Sequence, residues 1–240
     1  RRIPLRPAYI LRPGKAILRS FIKYSSPVVC NEAMWSIGTS MLTVIMGHMA
    51  NSQDMLAAHS LIGTIDRLST VICFGVSGSA AIMVGKEIGL GHSKDRVYSV
   101  GWTLLIVSLL IGTAVMGILL ILLPTFFRPV LFTLFDLSAG ATKAATCMTL
   151  IYALFMPMRA FDITNITGVL RAGGDAKTAT IIDITPLWLV AIPLMAFTAL
   201  VLDAPVFVVC LAMQAENLCK CPLGIMRIRS RKWITDITRS

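Results

Sequence analysis

Residues 97–127 contain no Asp, Glu, Lys or Arg. As an α-helix this run would be about 46 Å long, against a hydrocarbon core of about 30 Å in a typical bilayer. A chain with such a run can bury it in lipid far more easily than in its own core, and the run is not alone. Residues 33–53 form another charge-free run. Six apolar stretches long enough to span occur near 25–47, 56–84, 98–123, 144–169, 178–201 and 204–226. The runs are unbroken rather than alternating, which argues against a β-barrel. The pattern predicts an all-α membrane protein, a bundle of six transmembrane helices.

Composition agrees. Of 240 residues, 56 % are A, V, I, L, M, F, W, Y or C, 17 more are Gly, and mean hydropathy is +0.78. Charged residues make up 14 %, against about 25 % in a soluble domain. Such a chain could not give a water-soluble surface enough polar cover. The same numbers exclude a disordered chain.

The formal net charge is +10, from 22 Lys and Arg against 12 Asp and Glu. In a soluble protein this would suggest nucleic acid; here its placement says otherwise. Eighteen of the 22 fall in residues 1–24, the 85–98 and 170–177 loops and the C-terminal end, all on one side of a six-span arrangement. Only Arg128 and Lys143 fall on the other side, while Arg67 and Arg159 lie within spans. For a multi-pass protein, expected in the plasma membrane, the asymmetry predicts both ends cytoplasmic and no nucleic-acid partner. The expected organisation is a basic cytoplasmic segment 1–24, the bundle at 25–227 and a basic cytoplasmic tail at 228–240. The basic opening at Arg1 has no signal-peptide pattern and is what a piece of a longer protein would show.

Ionisable residues inside spans are costly and are functional candidates by default. Glu32 follows Lys23 by nine residues, about 14 Å if Lys23 marks the interface. Ser36, Thr39 and Thr43 follow it at i+4, i+7 and i+11, a polar stripe that could line a cavity or a helix contact. Asp162 precedes Arg171 by nine residues, so the two acids are expected at equal depth and could share one cation or proton. Arg159 lies on the same face as Asp162 and could instead neutralise it. Asp66, Asn165 and Asp183 are further candidate cavity-lining residues. Glu216 lies four residues from Lys220 and is expected to snorkel to its interface.

No enzyme is expected. Gly75-Val76-Ser77-Gly78 matches the Gly-x-Ser-Gly of intramembrane serine proteases, but such a serine needs a histidine base on a later span. The histidines are His48, His59 and His92. The expected role of Ser77, Ala81, Gly85 and Gly89, spaced by four, is close helix packing. The six cysteines suggest neither a disulfide framework nor a metal cluster.

Several segments resemble the multidrug and toxic compound extrusion (MATE) family. They are the stretch from Pro27 to Gly38 (PVVCNEAMWSIG), Leu56-Ala-Ala-His59, Gly85-Lys-Glu-Ile-Gly89, Leu170-Arg-Ala-Gly-Gly-Asp175 and Ser230-Arg-Lys-Trp-Ile234. The resemblance implies one lobe of a twelve-helix secondary transporter, the C-terminal half, whose N-terminal six-span half is a missing partner. It implies export of small cationic, amphipathic compounds in exchange for Na⁺ or H⁺, with no other cofactor. Glu32 matches a cation-binding acid of the seventh span, whereas the family's tenth-span acid falls near Ala160 rather than at Asp162. Two alternatives remain at this point: a flippase for lipid-linked oligosaccharides of the same superfamily, and a non-transporting six-span protein.

Overall fold

The computed structural model describes residues 15–235. The rest of the basic opening and of the tail, 1–14 and 236–240, lies outside the described residues. Six helices follow one another: α1 Lys15–Gly47, with its apolar span at Ser25–Gly47; α2 Ser52–Gly89; α3 Lys94–Leu134; α4 Ala139–Leu170; α5 Ala176–Val201; and α6 Val206–Arg229. The fold is the six-helix membrane bundle that the apolar runs predict. α3 continues past 123 because the chain offers no helix stop there. Pro124 and Pro129 are absorbed by a π-helical stretch, Leu123–Leu131, whose wider turn tolerates a missing N–H. Pro186 is followed in the same way by a π-turn, Leu187–Ala191.

The turns α1–α2, α3–α4 and α5–α6 form one end. The turns α2–α3 and α4–α5 and the segment after α6 form the other, called here the basic end. α4 is the central pillar: 56 % of its span is buried, against 22–39 % for the other five. Small residues let it approach its neighbours, as lipid-embedded packing requires. A Cβ added to Gly112 on α3 would stand 2.6 Å from that of Ala160. Gly168 on α4 meets Ser77 and Ala80 on α2 in the same way. This corrects the expected stripe: Ser77 packs, but Gly85 and Gly89 have nothing within 4 Å of a would-be Cβ. The Ser77 hydroxyl donates to Ile163 O (3.3 Å) and pairs with Thr167. It bridges α2 and α4.

Two apolar cores lie along α4. The larger includes Met46, Met55, Met148, Met156 and Met195. The smaller, at the basic end, surrounds Trp233 with Val97, Leu105, Val169, Leu170 and Ile228. Trp233 shows why two of the sequence motifs exist. Its ring lies on Gly173, where any Cβ would collide with it, and next to Gly101. Gly174 then turns the chain at φ 91°, a conformation cheap only for glycine. Thr235 N donates to Gly173 O (3.0 Å), Arg227 pairs with Asp175 (2.5 Å), and Arg231 covers the Tyr98 ring at 4.5 Å. The Arg-Ala-Gly-Gly-Asp loop and the Arg-Lys-Trp-Ile segment therefore hold α3, α4 and α6 together at one end.

Candidate functional site

Three ionic groupings occupy the spans. The first joins α2 to α4. The Arg159 guanidinium grips the Asp66 carboxylate with two nitrogens, the longer bond being 3.0 Å. The Tyr152 ring lies 5.8 Å from the guanidinium carbon. The charges cancel and the fork geometry satisfies both oxygens. Arg159 therefore does not neutralise Asp162, and the i, i+3 pairing weighed from the sequence is corrected. Helix spacing permitted it, but the α2–α4 packing supplied a better acceptor.

The second joins α1 to the α4–α5 turn. Glu32 Oε1 accepts from both terminal nitrogens of Arg171, each at 3.1 Å. The Glu32 side chain is 60 % exposed in this half-bundle. Of the polar stripe below it, Thr39 and Thr43 bond back to their own helix, to Ser36 O (3.0 Å) and Thr39 O (3.3 Å). Glu32 thus takes Arg171 as its partner, while its chain neighbour Asn31 bonds to Asp183. Glu32 and Asp162 belong to separate clusters.

The third is the buried one. Asp162 on α4 is 4 % exposed, and neither carboxylate oxygen has a hydrogen-bond partner. Its charged neighbours are Lys220, Asp183 and Glu216. Lys220 on α6 is 5 % exposed and bridges Asp183 on α5 (2.9 Å) and Glu216 (3.0 Å). Asn31 on α1 donates to Asp183 (2.9 Å), while its own oxygen is left without a donor. Asn165 follows Asp162 by one turn, is fully buried, packs on Gly224 and has no partner for either amide atom. Gln214 and Asn217 close the α6 face, bonded to each other at 2.7 Å.

The sequence reading placed Asp162, Asp183 and Asn165 among its candidates, and the structure brings all three to this cluster. Lys220 was counted with the tail cations and Glu216 was expected to snorkel; both are corrected, because they pair inside the bundle. The signal was present. Gln214, Asn217, Lys220 and Gly224 recur at helical spacing, a polar face on an apolar span. Ala160 is fully buried against Gly112. The position that the MATE resemblance gives to an acid is here a helix contact. Asp162, two residues on, is turned about 200° around the helix toward α6.

A cluster of carboxylate and amide oxygens drawn from four helices can hold a hard cation or a proton. The MatE family model matches residues 27–197. The chain is similar to the probable multidrug resistance protein NorM of Thermotoga maritima, 24 % identical over 227 residues, which is 93 % of this chain and 46 % of that protein. Its fold is similar to that of the MATE transporter ClbM in complex with Rb⁺, with TM-score 0.79 and 17 % identity over 94 % of this chain and 51 % of that one. It is also similar to that of a MOP superfamily transporter from Pyrococcus furiosus, with TM-score 0.72 and 20 % identity over 98 % of this chain and 50 % of that one. The chain spans about half the length of the relatives it matches. On the family match, which covers most of its length, this multi-pass membrane chain belongs to the MatE family.

Proposed function

We propose that the chain is one half of a cation-coupled antiporter of the plasma membrane that exports cationic, amphipathic compounds in exchange for Na⁺ or H⁺. Both of its ends face the cytoplasm, as the distribution of Lys and Arg suggests. Alternating access needs two bundles moving about a site between them. The working partner is therefore a second six-span half, and the chain alone does not transport. No chemistry is performed on the exported compound, so the protein is not an enzyme.

The observation that carries this reading is Asp162. A carboxylate sealed in a bundle with neither oxygen paired costs too much to be mere packing. Its charge is useful to a transporter, because it can be matched by an ion that comes and goes. Glu32 is a second candidate for the ion, with Arg171 as its present partner. Ser36, Thr39, Thr43, Asp66, Arg159, Asn165 and Asp183 complete the proposed lining. The test is export of a fluorescent organic cation from vesicles under an imposed Na⁺ or H⁺ gradient, using the chain with its second half. Asp162→Asn should reduce gradient-driven export to background at unchanged protein level. Wild-type export by the variant sinks this assignment. Export by vesicles holding only residues 1–240 contradicts the two-bundle requirement.

A further inference from the structure

We propose that Lys220 is a built-in occupant of a two-place cation site, its ammonium filling one place between Asp183 and Glu216, while the second place, beside Asp162 and Asn165, takes one alkali cation. The inference deepens the transporter reading of the same cluster and rests on it for its use in coupling.

The first place is explicit. The Lys220 ammonium lies 2.9 Å from Asp183 and 3.0 Å from Glu216. That is what a bound monovalent cation would do there, except that this one is tethered to α6. The Asp183 and Glu216 side chains keep 15 % and 17 % exposure, so the charge that Lys220 leaves over can be hydrated. Asp162 has no such outlet and is 4 % exposed. A sealed carboxylate with no donor needs a counter-charge, since an uncompensated buried ion costs several kcal/mol.

The unpaired groups mark where that charge would go. Among the described residues, six have a buried side-chain polar atom with neither a hydrogen-bond nor an ion-pair partner: Asn31, His59, Asp162, Thr164, Asn165 and Arg171. Asn31, Asp162 and Asn165 belong to the cluster around Asp183 and Lys220. Ser108 and Thr149, buried in the same bundle, bond instead to Leu105 O (2.9 Å) and Ala145 O (2.8 Å). Three of the six unpartnered residues, including the one carboxylate among them, fall in this cluster. Asp162 supplies two anionic oxygens and Asn165 a neutral amide oxygen one turn away. One negative charge plus neutral oxygens suits a hard monovalent ion; soft ligands are absent from this pair. Asn165 also packs on Gly224, one turn beyond Lys220 on α6. The two places thus lie side by side along α6, and movement of that helix would shift the tethered ammonium relative to the free ion.

The experiment is equilibrium binding of radioactive Na⁺ to the purified protein, counted as equivalents per chain. Relative to wild type, Asp162→Asn should lose one equivalent. Lys220→Met should gain one, because removing the ammonium opens the first place. Adding methylammonium to Lys220→Ala should displace that extra ion, and Lys220→Arg should keep the wild-type count. Lys220→Met at or below the wild-type count, with a monodisperse protein, overturns the proposal. So does Asp162→Asn binding as much Na⁺ as wild type. Should Lys220→Met fail to fold, the methylammonium and Lys220→Arg measurements decide in its place. H⁺-driven export without saturable Na⁺ binding would sink this inference and leave the transporter reading intact. Na⁺ binding without any gradient-driven export would do the reverse.

Discussion

Arg159 and Asp162 sit three residues apart on α4, yet they belong to opposite kinds of ionic structure. Arg159 has one acid, Asp66, and holds both of its oxygens. The α4–α6 cluster has three acids to one lysine, and its most buried carboxylate is bonded to nothing. The first grouping is closed: charges match, donors match, and nothing is left to bind. The second is open in charge and in hydrogen bonding. An intramembrane charge is therefore not by itself a sign of function. The sign is a mismatch that the protein does not resolve from within.

The largest expected effect breaks the comparison at its geometric root. Ala160→Asp would place a carboxylate on the α3-facing side of α4, against Gly112. Overpacking there costs about 1–3 kcal/mol, and a buried acid with no cation beside it adds several more. The variant should fail to accumulate as folded protein, read by expression and monodispersity. Asp162→Asn should show the contrary, a melting temperature equal to or above wild type, since it removes an unmatched charge. If both behave alike, the two faces of α4 do not differ as described.

Next comes the closed pair. Arg159→Met strands Asp66 and should cost about 3 kcal/mol, the low end for a broken buried pair. Asp66 keeps 22 % exposure, so water recovers part of the loss. Adding Asp66→Leu should restore most of the stability in a double-mutant cycle of thermal melts. Lack of restoration would mean that the pair is not the closed unit argued here. Smaller again is Gly173→Ala at the basic end, where the new methyl meets the Trp233 ring. Displacing that ring should cost about 1–3 kcal/mol and expose the segment after α6 to protease. Unchanged proteolysis would show that Trp233 does not clamp the turn.

The bundle was legible because lipid imposes one rule everywhere: a long uncharged run must be helix, and its flanking cations must sort. Residues 97–127 needed no tertiary information to be read. The sites were only partly legible, because partners depend on which helix faces meet. Asp162 stood out as an acid in a span, but its neighbour at i−3, Arg159, pointed to the wrong partner. Lys220 was hidden by proximity to the basic end, where a lysine ordinarily reaches water. Only the packing of α6 on α4 and α5 shows that it turns inward. Glu32 was legible as an acid in a span, but its partner Arg171 lies at the α4–α5 turn, and only the packing of α1 against that turn shows the pair.

Glu32→Gln is expected to have the smallest effect, and it tests whether the comparison extends to the Glu32–Arg171 pair. Glu32 resembles the closed pair in stoichiometry, one acid to one arginine at 3.1 Å. It resembles neither site in burial, since 60 % of its side chain is exposed. An ion pair so open to its surroundings contributes about 0–1 kcal/mol. The amide keeps one oxygen for Arg171, so the melting temperature should hardly move. Gradient-driven export should also persist in this variant if the coupling ion is bound at Asp162, because Glu32 would then only steady the α4–α5 turn through Arg171. Export measured alongside Asp162→Asn separates the two. Loss in Asp162→Asn alone assigns the ion to the buried cluster. Loss in Glu32→Gln alone moves it to α1 and would mean that an exposed, charge-balanced acid outranks a sealed, unmatched one, which is the reverse of the rule argued here.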